Sequence, residues 1–224
     1  MTDSPFQYSI KREKRKTIGL YVKDQIISVK APTSVSDKNI HDFINSKSQW
    51  ILKKLEEQKH EETEKPKLYN GGNILFLGEQ KTLYFEPGKA AIHEHNDALI
   101  IHHHQNTNIK KLLEQWLQKE AELYITERTH DIANTMREAS RIRDITYRKT
   151  RSKWGHCTSS GDIQFNWLLI MAPPDIIDYI IIHELSHLKH MNHSAQFWQR
   201  VAQFCPNFKQ HRQWLKSNAH KLAL

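Results

Sequence analysis

The chain has little cysteine: Cys157 and Cys205 are the only two in 224 residues. Two thiols do not make a disulfide framework, and a reducing compartment suits them. No run approaches the eighteen or so apolar residues needed to cross a bilayer. The first residues, MTDSPFQYSIKREKRK, lack the apolar centre of a signal peptide. These absences lead us to expect a cytoplasmic protein with no membrane partner. Concentrated charge is also scarce. The formal net charge is +8, yet the basic residues are spread widely, with one dense cluster at Lys11 to Lys16. A solvated basic surface accounts for that pattern better than a dedicated nucleic-acid interface, although Arg151 and Trp154 keep the second reading open. With 38% hydrophobic and 26% charged residues, the chain suits a globular protein of one large domain or two small ones.

What is present divides the chain by periodicity. Alternation over YSIKREKRK, TIGLYV and IISVKAP, with Lys23-Asp24 as a turn, predicts short antiparallel strands ending at Pro32. Ser36 then has the character of a helix cap. Ile40, Phe43, Ile44, Trp50, Ile51 and Leu55 recur at helical spacing up to Gln58, with a break around Ser46 to Ser48. His60 to Lys67 is polar, holds a proline and predicts a linker. Beyond Asn70-Gly71-Gly72, the runs ILFLG, KTLYFEP, AAIHEH and ALIIHHH predict a meander or a pair of hairpins, the last two strands joined at Asn96-Asp97. His102, His103 and His104 do not make a metal site on a strand, where neighbours point to opposite faces. His93 and His95 share a face without a third partner nearby. Asn108 to about Glu138 is the longest helical pattern, expected to pack behind a histidine-rich segment nearer the C-terminus.

That segment, DYIIIHELSHLKHMNHSAQF from Asp178 to Phe197, holds H-E-x-x-H in His183, Glu184 and His187, and His193 stands ten positions after the first. Residues four apart stack on one face of a helix, so His183 and His187 can grip one metal ion while Glu184 reaches a water beside it. Zinc in a catalytic site takes three protein ligands and leaves one position for water. His193 is the nearest candidate for the third, but in an unbroken helix it would lie about 15 Å further along the axis. A turn near Met191 and Asn192, with Asn192 left-handed, is therefore expected to bring it back. Tyr179 to Ile182, Leu185 and Leu188 make this helix buried and rigid.

Upstream, Ile145 to Arg148 and Ile163 to Leu169 read as strands around a Ser159-Ser160-Gly161 turn, and Pro173-Pro174 open the histidine-bearing helix. A hairpin feeding directly into that helix sets an edge strand beside the metal, where an extended peptide can pair. Arg151, His156, Asn166 and His190 are candidates for stabilising negative charge in the transition state. Arg151 and Asn166 serve equally well as ties within the hairpin. Trp154, Trp167 and Trp198 read as core, with Phe197 and Trp198 packing the next helix under the metal. Cys157 reads as buried structure.

The runs RSKWGHC at Arg151 to Cys157, IQFNWLL at Ile163 to Leu169, HELSHLKHMNHSAQFW and the tail CPNFKQHRQWL together resemble the YgjP-like family, a SprT-related group of H-E-x-x-H metallohydrolases usually described as zinc metallopeptidases. The specific motifs cover Arg148 to about Leu215. The resemblance implies His183, His187 and His193 as zinc ligands, Glu184 as general base and Zn2+ as cofactor. This chain departs at Trp154-Gly155-His156-Cys157, where the family usually has W-G-S-C, so the role of His156 lies between a surface residue and an extra proton donor. The fold expected is α+β: a β-rich N-terminal region with a helical segment over residues 1–105, then a zincin-like α+β metal domain over 106–224.

Three functions fit these residues. The first is a zinc metallopeptidase or amidohydrolase acting on a peptide or protein, in which the ion acidifies water from a pKa of 15.7 to about 7 and Glu184 takes its proton. The second is a zinc-dependent nucleoside triphosphate pyrophosphatase, with Arg148, Lys149, Arg151 and Lys153 holding phosphates. The third is a non-catalytic zinc-stabilised module binding nucleic acid or protein. Glu184 argues against the third, since a structural site needs ligands but no base.

Overall fold

Residues 5–224 are described by the computed structural model, in which the chain divides into two units, Met1–Glu64 and Lys65–Leu224. In the first, β1 (Tyr8–Glu13), β2 (Gly19–Lys23) and β3 (Ile26–Pro32) form a sheet in the order β1-β3-β2. The β2–β3 hairpin closes through Asp24 and Gln25, both left-handed with φ of 51° and 61°, the conformation that suits the twist of a two-residue hairpin. The turn therefore sits one residue later than the sequence suggests. β1 runs parallel to β3, which corrects the expectation of antiparallel strands throughout: alternation fixes which face a residue takes, not the direction of its neighbour.

Ile27, Val29 and Ala31 of the central strand pack on Ile40, Ile44 and Ile51 from two helices. These are α1 (Asp37–Ser46) and α2 (Ser48–Glu64), separated at Lys47. The Ser36 hydroxyl caps α1 by accepting the Asn39 N–H at 3.3 Å. α2 continues through His60 to Glu64, where a linker was expected. Glutamate and lysine propagate a helix without an apolar face, and the breaker in this segment is Pro66, beyond the last turn.

The second unit opens with β4 (Asn73–Phe76), β5 (Glu79–Pro87), β6 (Ala91–His95) and β7 (Ala98–His103), in the order β4-β5-β7-β6. These are two hairpins joined by a parallel β5–β7 pair. Their inward residues Ile74, Phe76, Leu83, Leu99 and Ile101 share one core with Leu113, Leu117 and Ile125 of α3 (Ile109–Met136). A sheet with one apolar face must cover it with another layer, and α3 is that cover. The division expected at residues 105 and 106 thus falls inside the second unit. The β4–β5 turn is also tied to a distant stretch of the chain, Leu77 N–H donating to the Ile170 carbonyl at 2.8 Å.

β8 (Asp144–Arg148), β9 (Gly155–Cys157) and β10 (Asp162–Asn166) form the third sheet in the order β8-β10-β9. β8 lies parallel to β10, and β9 lies antiparallel to it on the sheet's edge. β10 stops at Asn166, and Trp167–Met171 winds into a buried 3-10 helix where the sequence predicts strand to Leu169. A short run apolar on every side carries no period to tell the two apart.

Pro173 then leads into α4 (Pro174–His187), followed by α5 (Ala195–Phe204) and α6 (Phe208–Asn218). α3 and α4 are joined by a two-pronged ion pair, Arg128 Nε and Nη2 each 2.7 Å from an Asp178 carboxylate oxygen. With six α-helices and three mixed sheets among the described residues the architecture is α+β, as the sequence led us to expect. Among the described residues no helix is long and apolar enough to cross a membrane.

Candidate metal centre

α4 is buried along most of its length, with Ile176, Ile177, Ile180, Ile181 and Leu185 in the core, so its last turn is held firmly. That turn carries His183 and His187 on one face, their rings 5.1 Å apart. The helix ends at His187, four residues before the expected turn. The chain then reverses gradually until the Ser194 hydroxyl caps α5 by accepting the Phe197 N–H at 3.3 Å. Asn192 is not among the residues with positive φ, so the reversal is distributed over residues 188–194 and needs no left-handed residue. It brings His193 back to the helix, its ring 5.0 Å from His183 and 4.9 Å from His187. One nitrogen from each of the three lies within 4.8 Å of the others.

This donor set fits a metal ion. His183 Nε2 and His193 Nε2 stand 3.1 Å apart; two nitrogens bound tetrahedrally at about 2.05 Å would stand about 3.3 Å apart. His187 Nδ1 donates to the His190 carbonyl at 3.1 Å, which fixes the tautomer and leaves the Nε2 lone pair for the ion. Burial first, then His187, His193 and Arg212, push the His183 imidazole down to about 3. Burial lowers His187 as well. Both rings are therefore neutral at ordinary pH, the form that binds metals. Phe197, fully buried, packs 4.5 to 4.9 Å from all three imidazoles, and Trp198 stacks on His193 at 5.5 Å.

Glu184 is 4% exposed and lies against the edge strand. A Cβ built on Gly155 would come within 2.5 Å of Glu184 Cγ and Oε1, so only glycine lets β9 pass this close. Burial pushes the Glu184 carboxyl up to about 8, with Lys153 pulling the other way. The glutamate and the three histidines line a cleft of about 410 Å³ with Lys153, Trp154, Gly155, His156, Tyr179 and Met191.

The other sequence candidates fall in different places. His156 is on β9 and lines the cleft. His190 offers its backbone carbonyl to His187, and its ring is not part of the lining. Asn166 is buried and ties the hairpin together, Nδ2 donating to the Thr150 carbonyl at 3.0 Å and Oδ1 accepting from Leu168 N–H at 3.2 Å. Arg151 borders a separate hollow with Lys149 and Thr150. Lys149 is engaged by Glu114 at 2.7 Å. Sequence reasoning missed Gly155 and Tyr179 as parts of the cleft. Tyr179 had a readable signal, one helical turn before His183; Gly155 had none. Cys157 is buried and its thiol pushed up to about 12 by burial first, which suits a packing role.

The YgjP-like family, described as a metallopeptidase domain, matches residues 16–218. The chain belongs to that family. This YgjP-like domain is accordingly a metal-dependent hydrolase. A crystal structure of the metallopeptidase zymogen of Pyrococcus abyssi abylysin aligns with a TM-score of 0.38 and 21% identity, over 41% of the YgjP-like chain and 93% of the other. Among curated proteins none matches.

Proposed function

We propose that this protein is a zinc-dependent peptidase that takes its substrate as an extended strand along β9, with His183, His187 and His193 as the metal ligands and Glu184 as general base. The observation that carries this reading is the position of β9, a sheet edge bordering the cleft that holds the buried glutamate and the three imidazoles. An unpaired edge offers backbone donors and acceptors in the register a peptide needs.

Bound at the three imidazoles, zinc supplies Lewis acidity to a substrate oxygen and to water. The protein's own groups do the rest. Glu184 accepts a proton from the attacking water and returns it to the leaving amine. His156 on β9 lines the same cleft, where a ring N–H can donate a hydrogen bond to the substrate oxygen. Gly155 holds the strand against Glu184, which excludes water from one flank of the base.

Phosphoanhydride cleavage has less support. Of the four basic residues at 148, 149, 151 and 153, Lys153 alone lines the cleft. The test is zinc content of the purified protein with turnover on a peptide library and a nucleotide panel. Glu184→Gln is expected to retain its zinc and lose peptide turnover by about 10²- to 10⁴-fold. Undiminished cleavage by Glu184→Gln would refute the general-base role, and Glu184-dependent release of pyrophosphate would move the protein to the phosphoanhydride class.

A further inference from the structure

A second hollow opens on the far side of Trp198. It holds about 710 Å³ and is lined by Trp198, Phe208, Lys209, Arg212, Gln213 and Lys216. Positions 209, 212, 213 and 216 recur at three and four along α6 and so share one helix face. No carboxylate lines the hollow. Elsewhere on α6, His211 lies 3.4 Å from Asp175, and none of the three cations makes an ion pair among the described residues. All three are exposed. Like charges three and four apart on one helix face, as at Lys209/Arg212 and Arg212/Lys216, repel by a few tenths of a kcal/mol, and an anion held there would relieve that repulsion.

The aromatic floor links this face to the metal centre. Trp198 stacks on His193 at 5.5 Å and on Phe208 at 5.3 Å, and the Arg212 guanidinium lies 5.6 Å over the Trp198 ring. One side chain thus borders both the metal ligand and the cationic face. From the basic face of α6 and its shared tryptophan we infer a specificity subsite that takes acidic side chains of the substrate polypeptide. This rests on the peptidase reading and adds to it a preference. At about 3.3 Å per extended residue, a hollow one tryptophan beyond a metal ligand is on the order of three residues from the bond cut. An acidic polypeptide is favoured over a nucleic acid because Trp198 is already stacked by His193 and Phe208, which takes up the ring surface that base stacking requires. Lys153 lines the metal cleft itself and gives it a charge of the same sign.

The experiment measures binding apart from cleavage. Zinc-loaded Glu184→Gln protein is titrated, by fluorescence anisotropy, with a labelled peptide carrying clustered Asp and Glu and with its Asn and Gln counterpart. The titration is repeated in the Lys209→Glu/Lys216→Glu background, and a single-stranded oligonucleotide serves as competitor. These lysines are exposed and unpaired, and a circular-dichroism melt checks that the double variant is folded. The expected result is at least tenfold tighter binding of the acidic peptide, weakening as salt rises and abolished by the double charge reversal. Equal affinity for both peptides overturns the subsite, as does a preference that survives the charge reversal. An oligonucleotide that binds more tightly than the acidic peptide and loses its affinity in the double variant overturns it in favour of nucleic acid. If the native protein cleaves both peptides at equal rates, the subsite falls and the peptidase reading stands. If Glu184→Gln selects the acidic peptide yet the native protein cleaves neither, the face stands as a binding surface for acidic polypeptides and the peptidase reading falls.

Discussion

Replacing Gly155 by alanine tests how closely the edge strand and the proposed general base, Glu184, depend on each other. The added Cβ would sit 2.5 Å from Glu184 Cγ and Oε1 and 2.6 Å from Cδ, about 1 Å inside ordinary contact between carbon atoms. Neither partner has slack: Glu184 is 4% exposed on a helix embedded in the core, and β9 is paired to β10 by its backbone. Overpacking of this kind costs about 1–3 kcal/mol. The relaxation available is a shift of the carboxylate away from the cleft, and a displacement of about 1 Å in a catalytic group can cost on the order of 10²-fold in rate. Gly155→Ala is therefore expected to keep its metal, lose about 1–3 kcal/mol in urea unfolding and lose turnover by about two orders of magnitude. The control is a double-mutant cycle with Glu184→Ala, which removes the atoms that clash. In that background Gly155→Ala should cost less than about 0.5 kcal/mol. An equal cost in both backgrounds, or turnover within twofold of native, would show that the glycine serves something other than room for the glutamate.

Two further outcomes are expected at the same site. Asn166→Ala strands the Thr150 carbonyl and the Leu168 N–H, so it should destabilise by about 1–3 kcal/mol while zinc content per folded molecule stays unchanged; loss of zinc with normal stability would contradict the hairpin-tie role. The metal-free protein should show an unusual pH profile in chemical denaturation. Glu184, raised to about 8 from 4.5, contributes stability that is full below 4.5 and lost as pH rises to 8. His183, lowered to about 3 from 6.5, contributes stability that is full above 6.5 and lost as pH falls. At about 1.4 kcal/mol per unit, the chelated protein should gain roughly 1–1.5 kcal/mol between pH 8 and 6.5, where Glu184 outweighs the onset of the His183 loss. A flat profile over that window would mean the glutamate is solvated.

The histidine-bearing helix was legible because three independent signals coincide there: the i, i+4 histidines, the apolar flanks and the double proline before it. The cap at Ser36 and the break near Lys47 were legible for the same reason, each being a local choice of residue with a local consequence. The strand directions of β1 and of the β5–β7 pair were not, since direction is decided by which edge a later strand finds free. Asn192 misled because its tolerance of left-handed backbone is only a permission, and a reversal spread over seven residues had no use for it. Gly155 was invisible for a different reason. Its need for a missing side chain arises from Glu184, 29 positions later, and no local pattern records that.

All three candidate ligands come from the eleven residues between His183 and His193. An ion held there would act as a clasp on one bend, not as a bolt through the whole unit. Drawing together the ends of a segment of about ten residues costs on the order of 2 kcal/mol of chain entropy, so the benefit of clasping it is felt chiefly between the end of α4 and the start of α5. The sheets and the α3–α4 pair, joined through Arg128 and Asp178, have their own core and do not wait on the ion. Chelation should then loosen amide exchange in residues 188–194 while the flanking helices keep their protection, so that the protein loses its chemistry at one bend long before it loses its fold.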